Sequence, residues 1–396
     1  MPRPSNWLFN VILTCLVAFG AVSTDLYLAT IPQIVEAFNS TPAMGQLTLS
    51  IYMFGFAFGQ LAMGPLSDWR GRKPILLLGL YIYLVGSFAC LFAVSMPMLL
   101  LGRLIQGLGA SAAPALARAI VADLYEGREA AKVLSYLTSA MALIPAIAPV
   151  IGSTLLLWFD WRSNFAALLL FCVLVIIGTS LFIPETNQQR GGDKPTLRLV
   201  THRFKQFLSD QTFVAYVVCS SAVFGGMFAY ISSTSFIIVD VLKLPVHYFG
   251  YTFMFVVIGY IVGAVVSGRL VQKKGIVSVM GMGIYLSVIA STLGVLSALL
   301  HYNTLASVLL PVFLYFMAAG LTVANGQAGA FGLFRSSAGG AASVFGFLQI
   351  SFAALTGVLV GQLYDHTTLP TMLIMFTLSI SSLLFYRMSL YKKITA

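Results

Sequence analysis

Gly64-Pro65-Leu66-Ser67-Asp68-Trp69-Arg70-Gly71-Arg72-Lys73-Pro74 is the stretch on which the fold turns. An apolar run, residues 44–66, leads into it, and another, residues 74–94, leads out. Asp68, Arg70, Arg72 and Lys73 concentrate the charge between them. A bilayer-spanning helix needs about 20 mostly apolar residues. The stretch therefore reads as a short charged loop joining two membrane helices.

The same alternation fills the 396-residue chain, which is 59% hydrophobic and 9% charged. Soluble domains carry about 25% charged residues, so most of this surface must face lipid. Twelve spans are predicted, at 7–31, 44–66, 74–94, 97–117, 133–157, 163–183, 211–236, 248–268, 276–300, 304–326, 340–363 and 369–388. They are numbered helix 1 to helix 12. Helix 1 is long enough to span and holds Asp25, so it reads as a retained helix and not a cleaved signal. With the N-terminus inside, nineteen of the 22 Lys and Arg fall on the cytoplasmic side, Arg162 and Lys243 fall outside, and Arg103 lies within a span. That bias predicts both termini in the cytoplasm. The polar stretch 184–210 interrupts the pattern, so the expected organisation is a six-helix bundle at 1–188, a cytoplasmic linker at 189–209 and a second bundle at 210–396.

An internal repeat supports two halves. Helix 2 and its loop carry Gly55, Gly59, Gly64, Leu66 and Gly71; helix 8 carries Gly259, Gly263, Gly268, Leu270 and Gly275. All five pairs are 204 residues apart. Helix packing in each half explains glycines but not the shared offset. Gly64 and Gly71 are expected to allow close helix approach and a turn.

Several classes are excluded. The net charge of +10 sits in clusters between apolar runs, which marks orientation and not a nucleic-acid surface. Cys15, Cys90, Cys172 and Cys219 lie in separate spans without CxxC spacing, and the four His are scattered. No metal, disulfide or cofactor is expected. No G-x-x-x-x-G-K-[ST] loop is present for ATP. The spans hold no nucleophile–base set, so no enzyme is expected.

The polar residues inside the spans carry the function. Asp25, in Ser23-Thr24-Asp25-Leu26-Tyr27-Leu28, is the one acid placed within a span. Arg103, in Arg103-Leu104-Ile105-Gln106-Gly107-Leu108-Gly109, lies at a similar depth, with Gln106 and Gly107 on its face. An intramembrane charge is costly and marks function by default. Pairing Asp25 with Arg103 would offset both costs. The plainer alternatives are an Asp25 reached by outside water and an Arg103 that snorkels to the surface. Helix 5 carries Pro145-Ala146-Ile147-Ala148-Pro149-Val150-Ile151-Gly152, whose prolines remove backbone hydrogen bonds. Tyr52, Phe56, Phe224, Phe228 and Tyr260 are candidates for a midplane pocket, and so are the amides Asn325 and Gln349. Packing is the competing role for each.

The stretch 64–74 resembles the G-x-L-a-D-r-x-G-r-[KR] signature of the major facilitator superfamily. Arg103–Gly109 resembles the R-x-x-Q-G-x-G pattern of its proton-coupled members. Helix 5 resembles the antiporter motif, with Ala148 and Ser153 where glycines are usual. Together with the Asp123-Leu124-Tyr125 triplet, these motifs look like the bicyclomycin/chloramphenicol resistance group of drug:proton antiporters. The resemblance implies an all-α fold of twelve helices in two bundles. It also implies export of small, drug-like or amphipathic molecules in exchange for protons, from a bacterial inner membrane, by a monomer. Asp25 and Arg103 are then the coupling residues, and Asp25 and Gln106 also meet substrate. Gly64, Asp68, Gly71, Arg72 and Asp123 form a conformational latch, with the start of helix 11 as a partner for Asp68. Pro145, Pro149 and Gly152 form the antiporter motif. A metabolite uptake symporter, or an amino-acid or sugar exporter, is the alternative on the same fold.

Overall fold

A computed structural model describes residues 7–125, 127–187, 197–302, 304–334 and 337–391. Helix is the only regular structure among them, and packing divides the chain into two units, Met1–Phe38 with Ile51–Val200 and Asn39–Ser50 with Thr201–Ala396. Eleven helices among the described residues are long and apolar enough to cross a bilayer. The remaining expected span, helix 5, falls on α7 (Gly127–Leu155), whose described apolar portion is Leu143–Leu155.

In the first unit, α1 (Trp7–Asp25) continues into α2 (Ile31–Ala37) through one 3-10 turn, Leu28–Thr30. Then come α3 (Pro42–Arg70), α4 (Arg72–Leu91), α5 (Met96–Ala110) and α6 (Ala112–Leu124), followed by α7 and α8 (Arg162–Phe182). The core lies where α1 packs on α6, α7 and α8, and α4 on α5 and α8. Phe9, Leu13, Phe19, Tyr83, Leu116 and Cys172 fill it. The opposite faces of α4 and α8 expose Tyr81, Val85, Leu170 and Leu174, as lipid contact requires.

Two boundaries differ from the sequence reading. Helix 1 runs past residue 31 to Ala37, broken just after Asp25. The charged stretch expected as a loop is helical to Arg70, and only Gly71 leaves the helix, with φ 109° and ψ 155°. Essentially only glycine enters that region. The helix tolerates the charge because Asp68 and Arg72 pair four residues apart across the turn and Arg70 lies at the favourable C-terminal end.

The second unit begins in the linker. α9 (Leu197–Leu208) was not foreseen there, and it anchors through Phe207, which is buried against Phe213 and Phe334 with ring centroids 5.7 and 4.9 Å away. α10 (Gln211–Phe236) is buried on nearly every face and packs on α13 (Leu305–Leu333), α14 (Ala338–Leu363) and α15 (Leu369–Phe385). α11 (Tyr248–Lys274) and α12 (Ile276–Leu299) pack on α13.

The repeat of glycines is a repeat of contacts. A methyl added at Gly55 or Gly59 would strike the backbone carbonyls of Leu104 and Leu108, and one at Gly259 or Gly263 those of Phe313 and Met317. Gly275 matches Gly71 with φ 77° and ψ 163°. At Gly64 and Gly268 nothing lies within 4 Å, so the close approach expected at Gly64 is made one and two turns earlier, at Gly59 and Gly55.

Candidate functional site

The first unit holds two polar clusters, one inside the span region and one at the end of α3. The inner one is built on α5. A methyl at Gly107 would collide with the Tyr52 carbonyl on α3, and one at Gly109 would lie 2.5 Å from the Gly79 carbonyl on α4. The motif's glycines therefore seat α5 against both neighbours. That brings Arg103 to 4.3 Å from the ring centroids of both Tyr27 and Tyr52. Arg103 is fully buried, so its guanidinium does not snorkel.

Its hydrogen bonds have one direction. Arg103 Nη1 donates to Gln106 Oε1 at 2.6 Å and to the Ser23 carbonyl at 3.3 Å. Gln106 Nε2 donates to Ser87 Oγ at 2.9 Å, and Ser87 donates to the Tyr83 carbonyl at 2.9 Å. Ser23 Oγ donates to the Phe19 carbonyl at 2.8 Å. Its single proton being so used, Tyr83 donates to it at 2.7 Å.

Asp25 is buried at the end of α1, but it does not pair with Arg103. Among the described residues it makes no ion pair, and its carboxylate accepts from Thr24 Oγ1 at 3.0 Å. Magnitudes explain the separation. An Arg at a helix centre costs about 2.5–3.5 kcal/mol on insertion scales, and a desolvated cation–π contact returns about 2 kcal/mol. Two rings and two acceptor oxygens offset that cost without a carboxylate.

The break after Asp25 has its own support. The Leu26 carbonyl accepts from Asn164 Nδ2 at 3.2 Å, and the same amide donates to the Gly152 carbonyl at 3.3 Å. Gly152 lies so close that a methyl there would strike Leu26 O. The glycine of the helix 5 motif thus packs on the irregular turn beside Asp25. α7 stays helical through Pro145 and Pro149.

The outer cluster centres on Arg72. It pairs with Asp68 and, through Nε at 3.0 Å, with Asp123, and Nη1 donates to Ser67 Oγ at 2.7 Å. Three residues after α8 close the cluster. Glu185 accepts from the backbone N–H of Arg72 at 2.9 Å and of Lys73 at 3.2 Å, capping α4. Thr186 donates to Asp123 Oδ2 at 2.8 Å. Asn187 Nδ2 donates to the Ser67 and Asp68 carbonyls at 3.2 and 2.8 Å, capping α3.

The candidates of the second unit are arranged differently. Asn325 donates to Ser267 Oγ at 2.6 Å and to the Leu321 carbonyl at 2.7 Å. Gln349 donates to Ser220 Oγ at 3.1 Å and accepts from Gln327 at 3.3 Å. Phe228 is buried, whereas Phe224 and Tyr260 are half-buried. In the first unit Phe56 is half-buried 6.3 Å from Tyr52.

The sequence gives no role to Tyr27, Ser87, Asn164, Glu185 or Asn187. Asn164 had a usable signal, an amide in an apolar span. The others looked like ordinary span or linker residues.

Comparisons with known proteins agree with this architecture. The family described as Major Facilitator Superfamily matches residues 13–361. The chain is 27% identical to the bicyclomycin resistance protein homolog of Haemophilus influenzae over 385 residues, 97% of this chain and 96% of that one. It is 28% identical to a chloramphenicol resistance protein of Pseudomonas aeruginosa over 366 residues, 90% and 84% of the two chains. The xylose transporter XylE from E. coli superposes with a TM-score of 0.72 at 14% identity, over 98% of each chain, which shows the fold. The protein is a multi-pass membrane transporter and not an enzyme, with the two-bundle fold. It belongs to the major facilitator superfamily, and its motifs and relatives are of the bicyclomycin/chloramphenicol resistance type.

Proposed function

We propose that the protein is a proton-coupled exporter of small amphipathic or drug-like molecules, working by alternating access between two six-helix halves, 1–188 and 210–396. The relatives named for resistance to bicyclomycin and chloramphenicol support the direction of transport and the class of cargo. The observation that carries proton coupling is a buried acid that makes no ion pair among the described residues, in the same unit as a buried cation seated between two rings. A carboxyl tied to Arg103 would resist protonation, whereas Asp25 is free to take a proton and return it. Its contact with Thr24 serves both states: the hydroxyl donates to a carboxylate, or a carboxylic acid donates to the hydroxyl.

On this reading Asp25 takes a proton from outside and cargo leaves in exchange. Gly64, Asp68, Gly71, Arg72 and Asp123 stabilise one of the two alternating states. The chain sits as a monomer in a bacterial cytoplasmic membrane with both termini inside.

The test uses inverted vesicles with chloramphenicol and bicyclomycin as probes. Acidifying the lumen drives accumulation by an exporter. Asp25→Asn abolishes that accumulation while the protein still inserts and folds. Full gradient-driven transport by Asp25→Asn would remove Asp25 from coupling, and efflux from an acidified lumen would favour the uptake symporter instead.

A further inference from the structure

Past α15 the chain closes in one wide π turn, Tyr386–Tyr391. Such turns are rare and often sit at functional sites. Tyr386 is buried there, and a methyl at Gly281 of α12 would lie 2.2 Å from its hydroxyl. Gly281 thus makes room for Tyr386 and seats the turn on α12. Tyr285, one turn further along α12, stands edge-on to the same ring with centroids 6.5 Å apart.

That seat brings Arg387 to Tyr285. Arg387 Nε donates to the Tyr285 hydroxyl at 3.0 Å, with the guanidinium carbon 5.5 Å from the ring centroid. Tyr285 accepts in this bond, so its own O–H is left to donate, and the far edge of the guanidinium adds further N–H donors.

Arg387 and Tyr285 are exposed on an apolar surface. Tyr285 lies in an outward stripe of α12 with Met282, Ile289 and Leu293, and Leu384 and Met388 are exposed beside Arg387. Such a surface meets acyl chains. Arg387 stands eighteen residues past Leu369. That is roughly 27 Å along the helix, against a hydrocarbon core about 30 Å thick. With Leu369 at one boundary, Arg387 reaches the headgroup level at the other.

No carboxylate answers its charge. Beyond residue 200 the sequence has ten Lys and Arg but three acids, Asp210, Asp240 and Asp365. Asp210 caps α10, Asp240 meets Tyr364 and Asp365 meets Thr367. Among the described residues Arg387 makes no ion pair. Lys392 and Lys393 follow in the sequence and add positive charge.

We propose that Arg387 and Tyr285 bind the phosphate of an anionic phospholipid whose acyl chains lie on the stripe of α12. Guanidinium–phosphate hydrogen bonds are among the strong ones, and the surplus of positive charge favours an anionic headgroup over a zwitterionic one. The inference rests on the membrane setting and on neither export nor proton coupling.

The test is native mass spectrometry of the full chain in detergent, titrated with phosphatidylglycerol. Arg387→Gln is expected to weaken binding of the first lipid about tenfold, the worth of one charged hydrogen bond. Tyr285→Phe keeps the ring, loses the hydroxyl and weakens binding by less. Arg269→Gln removes an exposed cation from the same end of the unit and leaves binding unchanged. Diacylglycerol of the same chains and phosphatidylcholine both bind more weakly, and inorganic phosphate does not displace the lipid.

Unchanged binding in Arg387→Gln would overturn the site, and so would an equal loss in Arg269→Gln, which would mark a diffuse effect of charge. Equal binding of diacylglycerol would leave no role for the phosphate. Displacement by inorganic phosphate would replace the lipid with a free anion, and equal binding of phosphatidylcholine would end the preference for anionic headgroups. Tyr285→Phe decides in the same way if Arg387→Gln fails to fold.

Discussion

The turn between α3 and α4 and the turn between α11 and α12 share one skeleton and differ in their chemistry. Each closes with a glycine in backbone territory that other residues avoid, Gly71 and Gly275, and each is preceded by two glycines packed on a neighbouring carbonyl. Yet Gln272 and Ile276 stand where the first turn has Asp68 and Arg72. Among the described residues no side chain caps the start of α12, whereas Glu185 caps the start of α4. The interior charges show the same imbalance, since Asp25 and Arg103 both lie in the first unit. The glycines that packing requires recur in both turns, whereas the Asp68–Arg72 pair stands in the first alone. Steric need is common to both halves, and the paired charges of the first turn are not.

Seven substitutions, in four tests, can break or sharpen that contrast. The largest effect is expected at Arg103. Arg103→Ala strips a cation from two rings and leaves Gln106 Oε1 and the Ser23 carbonyl without their donor. Hydrogen bonds to a charge are worth about 1.5–3 kcal/mol each, so transport should fall at least about a hundredfold. Asn325→Ala, in the second unit, should cost less than about tenfold in the same vesicle assay. Equal losses would end the argument for an unequal division.

Next comes Glu185→Ala, which uncaps α4. The unfolding midpoint in detergent should drop by an amount equivalent to about 1.5–3 kcal/mol. Among the described residues no acid caps α12, and the comparison is with the uncapped Gly275 turn. Gly71→Ala and Gly275→Ala should then behave alike in stability, each costing about 1–3 kcal/mol. They should part in transport, because only Gly71 adjoins the Arg72 cluster. If both impair transport to the same degree, the turn itself is what matters and not its charges. The smallest effect is expected at Gly64→Ala and Gly268→Ala. Both positions are helical and open, so thermal unfolding should show no loss and a gain below about 1 kcal/mol.

Much of this was legible in the sequence because it depends on spacing along one helix. The twelve runs are of that kind, whereas the offset of 204 is a repeat between halves and Asp123 of the Arg72 cluster came from the resemblance. What was missed depends on contacts between distant helices. Glu185 meets Arg72 across 113 residues, and Asn164 meets Leu26 across 138. No local pattern announces such partners. The Asp25–Arg103 pair was expected because opposite charges at one depth attract. Tyr27 and Tyr52, aromatic residues like many others in the spans, had already met the cation's need. The helical ending of α3 was masked by its charge, which reads as loop until Asp68 and Arg72 are seen to pair across the turn.

The sandwich around Arg103 has an electrical consequence. Its positive charge is held whether or not Asp25 carries a proton, so on the proposed cycle the interior of the first unit alternates between net neutral and one positive charge. Exchanging a neutral cargo for a proton then moves one elementary charge across the membrane in each turnover. Moving such a charge through 100 mV is worth about 2.3 kcal/mol. Voltage alone, with no difference in pH, would supply enough to concentrate a neutral cargo outside by more than about tenfold.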